Sequence, residues 1–313
     1  QGNYDKALEN HFASLKIKEE TGNQKGIADS YNNIGIIYYE QGNYDKALEN
    51  FFASLKIKEE MDGDPAFGGA GKKGIADSYV TVGLIYYQQG NYNKALENYF
   101  FSLKIYEELG NKQGKALSYN NIGLIYMEQA KRQRSPDSIG SNYDKALENL
   151  LASLKIKEEI GDKKGIANSY NNIGNLYLNQ NKTAEAKKQS LMSLSISGEI
   201  GAKDYLMHNY ELLSRCDSAT GSWKGAYDYH KLYAITKDSL FNEEKSKEIG
   251  KLEMKHELEV SDFKRKQKEE QEEEQARVIK EREDKIGYTL VLVGFIVLLG
   301  FVMLVSRFTM QLA

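Results

Sequence analysis

Apolar and small residues recur along this chain with helical spacing, in blocks that themselves recur. In 25–40, Tyr31, Ile34, Gly35 and Tyr38 fall at i, i+3, i+4 and i+7, which places them on one face of an α-helix. Gly42-Asn43 interrupts, and Tyr44, Ala47, Leu48, Phe51, Leu55 and Ile57 then form a second stripe. Gly35 and Ala47 are small where two antiparallel helices would cross, so they permit close approach. The tyrosines around that crossing fill volume and can reach a partner with the hydroxyl.

The blocks repeat with a basic period of 40 residues. "QGNYDKALENHFASLKIKEE" at 1–20 returns at 41–60, 89–108 and 141–159 with few changes. "KGIADSYNNIGIIYYE" at 25–40 returns at 73–88, 114–128 and 164–179. Two insertions stretch the period, near 62–73 and near 130–140. They hold the chain's two prolines, Pro65 and Pro136, and this predicts a loop between helices in each. One helix pair of this size cannot bury its own apolar face, so neighbouring pairs must stack.

Tyr31, Ile34, Gly35, Tyr38, Gly42, Tyr44, Ala47, Phe51 and Ser54 match the tetratricopeptide (TPR) signature, as do their equivalents around Tyr79 to Ala95 and Tyr119 to Ala146. The chain thus resembles TPR proteins of the longer, 40-residue variety. The resemblance implies an all-α solenoid, a right-handed superhelix of about five helix pairs plus an orphan N-terminal helix, over 1–241. The last units degenerate: 180–201 keeps Ala186 without the aromatics, and Asp217 stands where a tyrosine would be expected.

Beyond about Glu243 the apolar positions thin out, and 264–277 has no aliphatic residue larger than Ala276. A coiled coil needs sustained apolar heptads. Residues 242–285 therefore read as a charged helical stalk, open between a weak homodimer and a monomeric spacer. Glu273–Arg277 and Glu281–Lys285 offer i, i+4 support of about 0.3 kcal/mol each. "IGYTLVLVGFIVLLGFVMLV" (286–305) has no charge and the length of a transmembrane helix, leaving 306–313 as a truncated tail. A single-pass membrane protein is the expectation. Counting the basic residues Arg277 to Lys285 against Arg307 would place the stalk in the cytoplasm. The order of repeats, "KDSLFNEEKSKEIGKLEMKHE" junction, charged helix and span resembles bacterial membrane-anchored histidine kinases and helix-turn-helix regulators. That resemblance implies extracytoplasmic repeats and an output domain inside the cell.

Composition narrows the chemistry. The net charge of −3 with 28% charged residues gives no field that would select nucleic acid. Cys216 alone excludes an internal disulfide and a CxxC metal site. "GGAGKKG" (68–74) lacks the first glycine, the Ser/Thr and the preceding strand of a phosphate-binding loop. Asp62 and Asp64 lack the remaining ligands of a calcium loop. No catalytic motif stands out, and no cofactor or metal is implied.

The functional expectation rests on the first helix of each pair, which in TPR proteins faces the concave groove. Opposite its packing stripe lie Asn32, Ile36, Tyr39 and Glu40, then Val80, Leu84 and Tyr87, then Asn120, Leu124, Met127 and Glu128, and finally Asn171, Asn175 and Leu178. Apolar side chains and amides on a hollow surface predict a protein or peptide ligand. No ladder of Lys and Arg favours a carboxylate clamp. The expected protein is a membrane-anchored scaffold or sensor, non-catalytic as given. The alternatives are a histidine kinase whose catalytic part lies beyond 313, and a passive membrane tether.

Overall fold

The computed structural model describes residues 2–61 and 68–311, with side chains over 4–61, 71–300 and 302–303. It is built of helices: α1 (Gly2–Glu20), α2 (Gln24–Glu40), α3 (Tyr44–Glu60), α4 (Gly68–Gln88), α5 (Tyr92–Glu108), α6 (Lys112–Arg132), α7 (Pro136–Glu159), α8 (Lys163–Asn179), α9 (Thr183–Glu199), α10 (Lys203–Ala219) and α11 (Trp223–Gln311). Among the described residues there is no strand. The chain divides into two compact units, Gln1–Leu240 and Phe241–Ala313.

In the first unit the helices alternate in direction and pack as consecutive neighbours. The turn between α2 and α3 shows how the sequence forces this. Gly42 adopts φ +72°, a left-handed conformation that lets the Asn43 N–H reach back to the Tyr38 carbonyl at 2.8 Å. The Asn43 side chain then accepts from the Lys46 N–H and starts α3. Where "QGN" becomes "QNK" between α8 and α9, Asn181 takes the same left-handed role at φ +60°. The helix crossing needs small residues, as expected. A Cβ on Gly123 would lie 2.8 Å from Leu150 Cγ and 3.1 Å from the Ala146 carbonyl oxygen.

The core runs from pair to pair. Ala47, Leu48 and Phe51 of α3 pack on Val82 and Ile85 of α4, and Leu150 and Leu154 of α7 on Ile173 and Leu176 of α8. Fully buried Phe51, Leu150, Ile173 and Leu213 remove apolar surface from water, at about 1.5–3 kcal/mol per large side chain. Polar ties cross the same seams. Lys18 donates to Ser30 at 2.8 Å, Lys58 to Ser78 at 3.0 Å and Lys157 to Ser169 at 2.9 Å. Tyr106 occupies the lysine position in the third repeat, and its hydroxyl donates to Asp77. Asp217, unexpected in the last repeat, is buried and accepts from Lys187.

Three expectations change. The insertion near 130–140 is no long loop: only 133–135 is non-helical, and Pro136 opens α7 in its first turn, where a missing N–H costs nothing. The insertion around Pro65 lies outside the described residues, but its end, 68–73, is the start of α4. The single-pass membrane placement of 286–305, and with it the extracytoplasmic position of the repeats, is overturned: among the described residues no helix is long and apolar enough to cross a membrane. The side chains of Phe301 and of 304–313, the expected tail included, lie outside the described residues.

In the second unit α11 continues with its described side chains exposed. Its charges pair along the helix, Arg265 with Asp262 at 3.1 Å and Lys268 with Glu272 at 3.5 Å. Arg277 takes Glu274 at 2.9 Å instead of the expected Glu273.

Candidate functional site

The first helices of successive pairs, α6, α8 and α10, lie side by side. The N-termini of α6 and α8 are fixed by the same device, whereas α10 begins after Ala202 without a side-chain cap. Asn111 caps α6 by accepting from the Gly114 N–H at 2.9 Å, and Asp162 caps α8 by accepting from the Gly165 N–H at 2.8 Å. This sets the rotational phase of each helix and so decides which side chains meet.

Asparagines meet between the helices. Asn172 of α8 donates to Asn120 of α6 at 2.9 Å and to Asn168 at 2.8 Å. Asn171 donates to Asn209 of α10 at 3.0 Å, and Arg215 of α10 donates to Asn175 at 3.4 Å. Asn120 and Asn171 are buried, as is Met127, which belongs to the core between α6 and α8. These positions, expected on an open lining, are covered. The reason is lateral: the face opposite a pair's own crossing is used to pack against the next first helix.

The other expected positions stay nearer the surface. Ile36 and Glu40 are exposed, and Asn32 and Tyr39 are half-buried. Val80, Leu84 and Tyr87 are half-buried, with Val80 and Tyr87 packed against the α5–α6 core. Leu124 packs beside Met127, Glu128 pairs with Lys131 at 2.7 Å, and Leu178 covers Leu212. Tyr39 and Tyr87 meet Tyr44 and Tyr92 with ring centroids 5.9 and 5.7 Å apart.

A cavity of about 670 Å³ opens at the capped ends of α6 and α8, between α4 and α10. Leu117, Asn120, Asn168, Lys157, Asp77 and Tyr205 are on its walls. Leu117 is 44% exposed there although it is apolar. Burial pushes the Lys157 ammonium down to about 8, against the opposing pull of Asp162. Burial, with the hydrogen bond to Asp77, raises the Tyr106 hydroxyl well above its ordinary value. Leu117 and Lys157 were missed from sequence because each follows the repeat pattern of a plain helix. The recurring "LKIK" was the available signal, since the lysine directly after the isoleucine falls toward the next helix's serine.

The tetratricopeptide repeat family model matches residues 1–60 and 74–135, and a second tetratricopeptide repeat model matches 166–199. No curated protein matches. Among solved structures, BtubC (BKLC) from P. vanneervenii is similar at 16% identity, over 76% of this chain and 92% of that one, with a TM-score of 0.61. A signal transduction ATPase with numerous domains and a tetratricopeptide repeat sensor, from Pyrococcus horikoshii, is similar at 20% identity over 77% of this chain and 35% of that one, TM-score 0.62. The Rap conjugation gene regulator of plasmid pLS20, in complex with the Phr* peptide, is similar at 14% identity over 71% and 56%, TM-score 0.56. At these identities the likeness concerns the fold, and it agrees with the repeat signature, the small-residue crossings and the stacked core: the chain is a tetratricopeptide repeat protein.

Proposed function

We propose that the chain is a non-catalytic scaffold or sensor region whose first-helix layer holds an extended segment of a partner protein. The observation that carries this is the cavity of about 670 Å³, where apolar Leu117 stands open beside the amides of Asn120 and Asn168. An extended segment brings apolar side chains and unpaired backbone N–H and C=O groups, and this wall offers a counterpart to each. The similar fold of the Rap regulator, whose structure holds a peptide, supports a peptide ligand. The ATPase with a tetratricopeptide repeat sensor supports a sensing role. In this reading residues 1–241 bind the partner and 242–285 serve as a spacer. Ile36, Tyr39 and Leu84 extend the binding surface toward the N-terminal repeats.

Peptides selected on the folded protein from a random displayed library test the reading. Leu117→Glu is expected to abolish their binding while changing the thermal midpoint little, because Leu117 is 44% exposed and lies outside the core clusters. Failure to select any peptide, or selected peptides indifferent to Leu117→Glu and Ile36→Glu, would sink it.

A further inference from the structure

Helix α1 and the second helices α3, α5, α7 and α9 carry an exposed apolar side chain at the same register. Phe12, Phe52, Phe100, Leu151 and Leu191 are 44, 41, 45, 47 and 42% exposed. Phe52, Phe100, Leu151 and Leu191 each follow a buried residue, Phe51, Tyr99, Leu150 and Ser190, and Phe12 follows half-buried His11. The helix crossing therefore uses one face, and this row lies on another.

Charge is ordered around the row. Three residues earlier stand Glu9, Glu49, Glu97 and Glu148, and four residues later Lys16, Lys56, Lys104 and Lys155, all exposed. Within one helix the two charges are two turns, roughly 10 Å, apart, too far to pair. Among the described residues none of them joins an ion pair of its own chain, whereas Lys112, Lys115, Lys163 and Lys187 nearby do. The pattern is thus two unpaired rows of opposite sign, one on each side of an apolar row.

We propose that this face docks a second copy of the chain with its helices antiparallel. A two-fold axis along the apolar row places apolar against apolar, and sets each copy's glutamates opposite the other's lysines. An axis along the helices would set glutamate against glutamate and lysine against lysine. Asp45 and Glu60, at the ends of the same stripe on α3, would face each other with like charge, which confines the contact to the middle turns. In α9 the flanking residues are Lys188 and Ser195, so α3, α5 and α7 hold the centre of the contact.

The full chain carries its own control for a cross-linking test, because its single cysteine, Cys216, is buried. Oxidised Phe100→Cys protein is expected to run as a covalent dimer, and Asn33→Cys protein, altered on α2, is not. In sedimentation, Glu49→Lys with Glu97→Lys should weaken dimerisation at least about tenfold, and adding Lys56→Glu with Lys104→Glu should restore it. All four positions are exposed, so helical content and melting temperature should stay constant. A wild-type chain that remains monomeric at roughly 0.1 mM overturns the proposal. So does a dimer indifferent to both the reversal and the swap, or equal cross-linking at Asn33→Cys. A face that captures only a different protein overturns it as well.

Discussion

Lys157 shows what one residue's surroundings do to its chemistry. Its stem fills space between α7 and α8 while its nitrogen is held by Ser169 at 2.9 Å, and burial disfavours the charged form. The folded-state value of about 8 lies below the ordinary lysine value, so the unfolded chain binds the proton more tightly. Stability is therefore reduced while the group is charged in both states, and recovers as pH rises from about 8 towards 10.5. Relative to Lys157→Met, the wild type is expected to gain up to about 3 kcal/mol across that window, read from urea unfolding at each pH. An unchanged difference between the two proteins would show that the ammonium is solvated. The lysine itself was visible in the repeated "LKIK"; its burial was not, because Ser169 comes from the following helix.

At the scale of elements, the crossing of α6 with α7 depends on there being no side chain at Gly123. A methyl group there meets the Leu150 side chain and, at 3.1 Å, the Ala146 carbonyl oxygen, and a backbone atom cannot rotate aside. Gly123→Ala is expected to destabilise by about 1–3 kcal/mol. Gly198→Ala in α9, with open space around its Cβ, is expected to stabilise by up to about 1 kcal/mol through helix propensity. Chemical denaturation of the two variants measures both signs. Element type and order were legible because helix periodicity and turn glycines are local. The insertion near 130–140 is shorter as a loop than its proline suggests: a proline marks a helix start as well as a loop, and only the continuation of α7 distinguishes the two.

Across the first unit, stability comes from contacts between neighbours, since each core cluster joins one pair to the next. Such an array opens from its ends. Amides in α5 to α8 are expected to exchange more slowly with deuterium than those in α1 or α10, whose neighbours on one side are fewer. Uniform protection along 2–219 would argue for a single all-or-none core. The second unit draws its order from a different source, ion pairs three and four residues apart such as Lys255–Glu259 and Arg277–Glu274.

The sequence alone determined the helical repeat, its glycine turns, its small-residue crossings and its membership of the tetratricopeptide class. Each of these is set by residues within about one helix pair of one another. Only the tertiary structure decided which side chains of α6 and α8 are covered. Asn120 meets Asn172 across 52 positions, and Asn171 meets Asn209 across 38, so the layer expected to be open is partly closed by its own neighbours. Helical phase names the face a residue occupies. What lies against that face depends on how the repeats stack, and no single repeat contains that information.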